Sequence, residues 1–209
     1  MGYLCYLVYV LRGKQMNKQF CCDMDGVLCD FIGGAVKIVN ETLENRDSIT
    51  DLELKETIEK AIEELGKTSV EEYDLRIGTP HKNLRKLMKD IIRNNKDFWA
   101  NLEWAKGGRA IWNAIAPYDP YILSAPMGNS AESKAGKIEW IKKNLTPQPG
   151  RIILDDDKWK YTDFDGRQGV LIDDMWYNIK AYREHGGIAI FHRDMRVTMG
   201  LIKRYATRD

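Results

Sequence analysis

The segment QFCCDMDGVLCDF (residues 19–31) places a short apolar run directly before Asp23, Asp25 and Asp30. The run QFCC at 19–22 predicts a short strand that is buried on both faces, because it does not alternate with polar residues. Two carboxylates about 4 Å apart repel by roughly 4 kcal/mol at an effective dielectric near 20. Such a loop therefore requires either protonated carboxyls or a bound cation.

Four further runs have the same apolar character: YILS (121–124), RIIL (151–154), GVLI (169–172) and IAIF (188–191). Amphipathic helical patterns lie between them, at 107–115, 130–144, 176–185 and 194–205. Strands that alternate with helices predict an α/β fold, with a Rossmann-like parallel sheet and helices on both faces. Ligands of such sheets bind at the carboxyl ends of the strands.

The stretch between the first two strands breaks this alternation. Three helical patterns follow one another there without a strand, at 33–43, 52–65 and 81–94. The sequence therefore predicts a helical cap, the cap segment, at residues 32–104. Residues 1–31 and 105–209 would form the Rossmann-like core, with residues 1–17 as an appendage to it.

Charge and cysteine content limit the classes of partner and compartment. The chain of 209 residues has 32 lysines and arginines against 31 aspartates and glutamates, a net charge of +1. That balance argues against long nucleic acids and anionic membranes as partners. The apolar run at 3–11 is shorter than the roughly 20 residues that span a bilayer. Neighbouring Cys21 and Cys22 cannot readily pair, which favours a reduced, cytoplasmic protein; a homodimer remains open.

A second acidic pair, Asp173 and Asp174, follows the predicted strand at 169–172. If both acidic stretches lie at the same edge of the sheet, four carboxylates converge there. Taken alone, either stretch is typical of a turn. Two of them at strand ends favour a site for Mg²⁺, which prefers hard oxygen ligands.

These stretches resemble the ordered motifs of the haloacid dehalogenase superfamily. DMDGVLCDF (23–31) is similar to the first motif, and ILSAP (122–126) is similar to the second. A lysine followed by LIDD (171–174) resembles the third and fourth motifs. The first motif, together with SAP and VLIDD, is most similar to the 5′(3′)-deoxyribonucleotidases.

The resemblance implies a phosphomonoesterase that works through an aspartyl-phosphate intermediate. Asp23 would be the nucleophile, and Asp25 the general acid and base for the leaving oxygen and the attacking water. Mg²⁺ would be bound by Asp23, the backbone carbonyl of Asp25, and Asp174. Asp173 would be a further ligand or a hydrogen-bonding partner of the ligands.

The resemblance also implies the residues that contact the substrate. The Ser124 hydroxyl would donate a hydrogen bond to the phosphate. Lys158 is the preferred phosphate-contacting lysine and Lys137 the second candidate. Phe31 matches a position that packs beside the base in these nucleotidases, whereas an aromatic after a strand is usually part of the core. SAP replaces the more common TSP, which leaves the preferred base and sugar open.

The predicted substrate is a small phosphate ester, a nucleoside monophosphate and preferably a deoxyribonucleotide. Two alternatives remain: a capped phosphatase for another small ester such as a sugar phosphate, and a phosphate-binding module without turnover. Asp25 argues against the binding module, because binding alone requires no acid/base group.

Overall fold

The computed structural model describes residues 17–75 and 79–206. Six strands form a single sheet: β1 Lys18–Cys22, β2 Tyr121–Ser124, β3 Arg151–Leu154, β4 Asp163–Phe164, β5 Arg167–Asp173 and β6 Ile188–Phe191. The described residues also form nine α-helices: α1 Phe31–Glu44, α2 Leu52–Leu65, α3 Glu72–Leu75, α4 Lys82–Ile92, α5 Lys96–Ala100, α6 Gly108–Ile115, α7 Ala131–Asn144, α8 Trp176–Glu184 and α9 Met195–Ala206. The predicted α/β fold is confirmed, and all five predicted strands are present.

The sheet is parallel except at one short strand. Its order is β3, β2, β1 and β5, and β6 pairs with β5 in parallel. The two-residue strand β4 pairs antiparallel with the start of β5 and was not predicted. The central position of β1 brings the carboxyl ends of β1, β2 and β5 to a common edge.

The core lies on both faces of this sheet. In β1, Phe20 and Cys22 join one apolar cluster, whereas Cys21 joins the other, as expected for neighbours in a strand. Helices α6 and α9 contribute to the first cluster, and α8 to the second. Continuous apolar runs form these strands because a sheet covered on both faces buries every side chain.

The described residues of the cap segment form helices joined by loops, with no strand among them. Helices α1, α2 and α4 bury apolar faces in the same cluster as the first face of the sheet, through Val39, Ile58 and Leu84 among others. Helix α5 packs closely on core helix α7: a Cβ at Gly136 would lie 2.5 Å from Trp99 Cβ. The division into a core and a cap domain stays a prediction.

Two predictions concern the N-terminus and membrane association. The apolar run at 3–11 and Cys5 lie outside the described residues. Among the helices that the structure describes, none has both the length and the hydropathy required to cross a bilayer. Cys21, Cys22 and Cys29 are buried free thiols.

Candidate active site

Strand register brings the two acidic stretches together. Cys22 is paired with Ile172, and the backbone N–H of Asp23 donates to the Ile172 carbonyl at 2.9 Å. The residues after these partners, Asp23 and Asp173, therefore lie side by side at the carboxyl edge of the sheet. Ser124 ends β2 on the other side of β1.

Three carboxylates converge at this edge. Asp23, Asp173 and Asp174 each offer an oxygen within 4.8 Å of the others, and we call these residues the acidic cluster. Burial, followed by the charges of Asp23 and Asp173, raises the pKa of Asp174 to about 7. Burial and the charge of Asp23 also raise the pKa of Asp173. The protein surroundings therefore disfavour ionisation of all three carboxyls of the cluster when no further cation is bound.

The turn after Asp23 is built around the carbonyl of Met24. This carbonyl accepts hydrogen bonds from the N–H groups of Val27, Leu28 and Cys29 at 3.2, 2.7 and 2.8 Å. Gly26 has a φ of +73°, and a Cβ there would lie 2.3 Å from Asp174 Oδ2. Glycine is thus required both by the backbone conformation and by the close approach of the acidic cluster.

Lys158 bridges two members of the acidic cluster. Its Nζ lies 2.9 Å from Asp23 Oδ2 and 2.6 Å from Asp173 Oδ2. Burial opposes the charge of this lysine, but the two carboxylates outweigh burial and raise its pKa. The cation therefore persists in the interior and fixes two carboxylates at neighbouring strand ends.

Lys137 forms a second buried contact on the opposite side of Asp23. It lies on α7, and its Nζ donates to Asp25 Oδ2 at 2.7 Å and to Ser124 Oγ at 3.1 Å. The same Nζ lies 4.9 Å from the centroid of the Trp99 ring. Both candidate lysines thus reach the site, Lys158 at Asp23 and Asp173 and Lys137 at Asp25.

Asp25 is held by one oxygen only. Oδ2 accepts from Lys137, whereas Oδ1 is buried and has no hydrogen-bond partner among the described residues. Burial raises the pKa of this carboxyl, although the Lys137 charge opposes the shift. A carboxyl with an unpaired oxygen and a raised pKa is suited to exchange a proton with a bound molecule.

The third aspartate of the opening segment has a structural role. Asp30 is the N-cap of α1, and its Oδ1 accepts from Gly33 N at 3.0 Å. The next residue, Phe31, is half-buried and stacks on Trp99, with ring centroids 5.6 Å apart. It also meets Phe98 edge-on at 6.0 Å. Phe31 therefore packs on aromatic neighbours and keeps part of its surface exposed.

Two residues of the site were not found from the sequence. Asn178 Nδ2 donates to both carboxylate oxygens of Asp173, at 3.1 and 3.0 Å, and the Met175 N–H donates to Oδ1 at 2.8 Å. Trp99 is the second such residue, and its ring lies beside Lys137. The position of Asn178 one turn into the helix after LIDD was the only available signal for it.

The acidic cluster fits a divalent cation. It supplies hard carboxylate oxygens from three residues, and one buried ammonium, that of Lys158, contacts two of them. Asp173 already accepts hydrogen bonds from Lys158, Asn178 and Met175 N–H. Asp23 accepts the Met24 N–H on Oδ1 and contacts Lys158 through Oδ2, so among the described residues Asp174 is the cluster carboxylate with the most room for a metal. The cluster does not include the side chain of Asp25; only its backbone carbonyl was predicted as a ligand.

Comparisons with known proteins agree on the architecture. No protein-family model and no curated protein matches this sequence. A Had-superfamily hydrolase from Ehrlichia chaffeensis is similar in structure, at 15% identity and a TM-score of 0.54, over 93% of this chain and 99% of that one. A hydrolase from Streptococcus pneumoniae TIGR4 is similar at 12% identity and a TM-score of 0.51, over 91% and 100%.

This chain shares the fold of a Had-superfamily hydrolase. At 12–15% identity the likeness establishes the fold alone. Chemistry and substrate therefore depend on the residues at the sheet edge.

Proposed function

We propose that this chain is a Mg²⁺-dependent phosphomonoesterase that hydrolyses nucleoside monophosphates, with deoxyribonucleotides favoured. The observation that carries the proposal is the convergence of the acidic cluster, two buried lysines and the Ser124 hydroxyl at one sheet edge. Phosphoryl transfer requires positive charge and donors around the phosphate oxygens, and this edge contains both. A reduced, cytoplasmic setting is part of the proposal.

In the first half-reaction the Asp23 carboxylate attacks phosphorus and forms an aspartyl-phosphate. The bond from phosphorus to the leaving oxygen breaks, and Asp25 donates its proton to that oxygen. Burial raises the pKa of Asp25 and so favours the protonated form that this step requires. Lys137 holds the Asp25 carboxyl in position through Oδ2.

In the second half-reaction water attacks the phosphorus of the aspartyl-phosphate. Asp25, now a carboxylate, accepts a proton from this water, and the Asp23 carboxylate is released together with inorganic phosphate. Lys158 fixes Asp23 through Oδ2 during both steps. Ser124, at 3.1 Å from Lys137, is placed to donate to a phosphate oxygen beside that ammonium.

The residues that would bind Mg²⁺ are Asp23, Asp174 and the backbone carbonyl of Asp25, with Asp173 beside them. Bound Mg²⁺ would neutralise phosphate charge at the site. Without a divalent cation, the raised pKa of Asp174 reflects repulsion within the cluster as well as burial.

Phe31 supports the choice of a nucleotide over other phosphate esters. It begins helix α1, eight residues after Asp23, and is only partly buried. A base that stacks on an aromatic ring gains roughly 1–3 kcal/mol. A sugar phosphate would gain no such contact.

The test is a phosphatase screen with purified protein, with Mg²⁺ and with EDTA in its place. The panel contains p-nitrophenyl phosphate, deoxyribo- and ribonucleoside monophosphates, sugar phosphates and a phosphorylated oligonucleotide. We expect Mg²⁺-dependent hydrolysis with the highest kcat/KM on deoxyribonucleoside monophosphates. A higher kcat/KM on sugar phosphates would favour the alternative substrate, and no turnover of any ester would favour a binding module.

A further inference from the structure

A basic groove of about 560 Å³ lies between helix α4 and the loop that follows Ser124. Five basic side chains of α4 and its C-cap line one wall: Lys82, Arg85, Lys86, Lys89 and Arg93. The other wall is loop 127–128, and Asp90 is the one lining carboxylate. The groove therefore concentrates positive charge, although the chain as a whole has a net charge of only +1.

Helical spacing concentrates this charge on one face. Lys82, Lys86, Lys89 and Arg93 recur at intervals of three or four residues, which places them along a common stripe. The opposite stripe consists of the buried residues Leu84, Leu87, Met88 and Ile92. Packing of α4 on its apolar side therefore directs the basic side toward loop 127–128.

Most of these cations lack a carboxylate partner. Lys86 pairs with Asp90 at 2.7 Å and with the more distant Glu53 at 3.8 Å. Across residues 17–75 and 79–206, the four other basic side chains have no carboxylate oxygen within 4.0 Å. Like charges along one helix face are unfavourable unless an anion compensates them.

Arg93 connects the groove to the proposed phosphate site. Its Nη2 donates to the Gly128 carbonyl at 3.0 Å. Gly128 has a φ of +56°, and a Cβ there would lie 2.8 Å from Arg93 Nε, so the contact depends on glycine. Met127 is three residues after Ser124, and consecutive Cα atoms are about 3.8 Å apart. The Cα atoms of these two residues therefore lie within about 11 Å of each other.

We propose that the basic groove binds a second phosphate group of the substrate. This inference rests on the proposed function. It predicts that nucleoside 3′,5′-bisphosphates are better substrates than the corresponding monophosphates. One phosphate would occupy the site at Asp23 and Ser124, and the other, one ribose away, would lie against Arg93 and Lys89. Arginine is well matched to phosphate because its planar guanidinium donates two parallel hydrogen bonds.

The first test compares kcat/KM for the 5′-monophosphate and the 3′,5′-bisphosphate of the same deoxynucleoside. We expect at least a tenfold advantage for the bisphosphate, because charge-assisted hydrogen bonds are strong and several are available. Lys89→Ala and Arg93→Ala should each reduce this ratio, and 0.5 M NaCl should reduce it through screening. Equal kcat/KM values of the wild-type enzyme on the monophosphate and the bisphosphate would overturn the proposal.

The matched control is Lys60→Ala, which removes a lysine from the exposed face of α2, outside the groove. It should leave the ratio of the two kcat/KM values unchanged. If Lys60→Ala lowers the ratio as much as Arg93→Ala does, the effect is general electrostatics and the groove is not the binding site.

A binding measurement separates this proposal from the proposed function. In the Asp23→Asn background, calorimetric titration with the two nucleotides should give a Kd at least tenfold lower for the bisphosphate. Arg93→Ala in that background should abolish the difference. If nucleotides are not hydrolysed but the difference in Kd is present, the proposed function fails and the groove proposal stands. Equal Kd values reject the groove proposal whatever the turnover results are.

Discussion

The carboxyl edge of the sheet and the exposed helix faces of the cap segment handle charge in opposite ways. At the sheet edge, Lys137 and Lys158 have side chains that are 0% and 2% exposed, and both contact carboxylates. In the cap segment, the ion pairs Lys60–Glu56 and Lys86–Asp90 have side chains that are 42–64% exposed. The same types of residue thus occur in two very different dielectric environments.

This difference is expected if the buried charges serve the proposed reaction and the exposed charges do not. Exposed ion pairs contribute little to stability, so the cap segment uses them mainly to keep its helices solvated. A buried carboxylate is costly even when it is paired, and apolar residues would fill its place more cheaply. This cost at the sheet edge, where four carboxylates and two lysines meet, is consistent with the catalytic role proposed for these residues.

The largest expected effect concerns the nucleophile. Asp23→Asn keeps the size of the side chain but removes the charge that attacks phosphorus, so kcat should fall by at least about a thousandfold. The matched control is Asp30→Asn, the same substitution at the N-cap of α1, where asparagine also caps well. Steady-state kinetics on p-nitrophenyl phosphate measure both variants.

Asp30→Asn should retain near wild-type kcat. A purified, deamidation-free Asp23→Asn protein with near-normal kcat would show that the reaction does not proceed through an Asp23 phosphate.

The second effect concerns stability at the sheet edge. Lys158→Met removes the cation between Asp23 and Asp173 and leaves buried carboxylates without compensation, so the free energy of unfolding should fall by about 3–5 kcal/mol. Urea denaturation in EDTA at pH 8 measures it. The loss in the free energy of unfolding should be smaller at pH 5, because protonation of a buried carboxyl removes part of the uncompensated negative charge.

Lys160→Met is the matched control, because Lys160 lies two residues further on and pairs with Asp157 at the surface. It should not measurably change the denaturation midpoint. Equal losses in the two variants would mean that burial does not separate these two classes of ion pair.

Much of the fold could be predicted because buried strands are continuous apolar runs. YILS and RIIL coincide with β2 and β3 at 121–124 and 151–154. Strand β4 was missed because two residues cannot establish a period, and helices α3 and α5 were missed because they have four and five residues. Pattern recognition thus fails where an element is shorter than about one or two repeats.

The site was predictable where it depends on strand ends and not where it depends on helix packing. Asp23 and Asp173 follow neighbouring strands, so topology alone places them together. The contact between Lys137 and Asp25 spans 112 positions and depends on how α7 is seated. No periodicity in the sequence encodes that placement, which is why the two candidate lysines could not be assigned separate partners.

The third effect concerns Asp174 and its pKa of about 7. An aspartate in the unfolded chain has a pKa of about 3.9. The protonated Asp174 carboxyl therefore contributes its full stability below about pH 4, and this stability is lost as the pH rises through about 7. Asp174→Asn mimics the protonated form. In EDTA it should stabilise the protein by about 1–3 kcal/mol at pH 8 and have no effect near pH 4.

The same variant should require at least about tenfold more Mg²⁺ for half-maximal phosphatase activity, because a hard anionic ligand is lost. Denaturation at several pH values and a Mg²⁺ titration measure the two effects. Unchanged Mg²⁺ dependence would place the metal elsewhere, and a stabilisation that does not vary with pH would not arise from this carboxyl.

The smallest effect concerns Phe31, where the cap segment meets the sheet edge. Its ring is stacked on Trp99 and half-buried, so it has both a packing surface and a surface for a base. Phe31→Ala should raise KM for deoxyribonucleoside monophosphates about tenfold, within the roughly 1–3 kcal/mol of base stacking, and spare p-nitrophenyl phosphate. Phe98→Ala, which removes the edge-on neighbour of Phe31, is the control for packing. Equal losses on both substrates in both variants would show that Phe31 serves only the core.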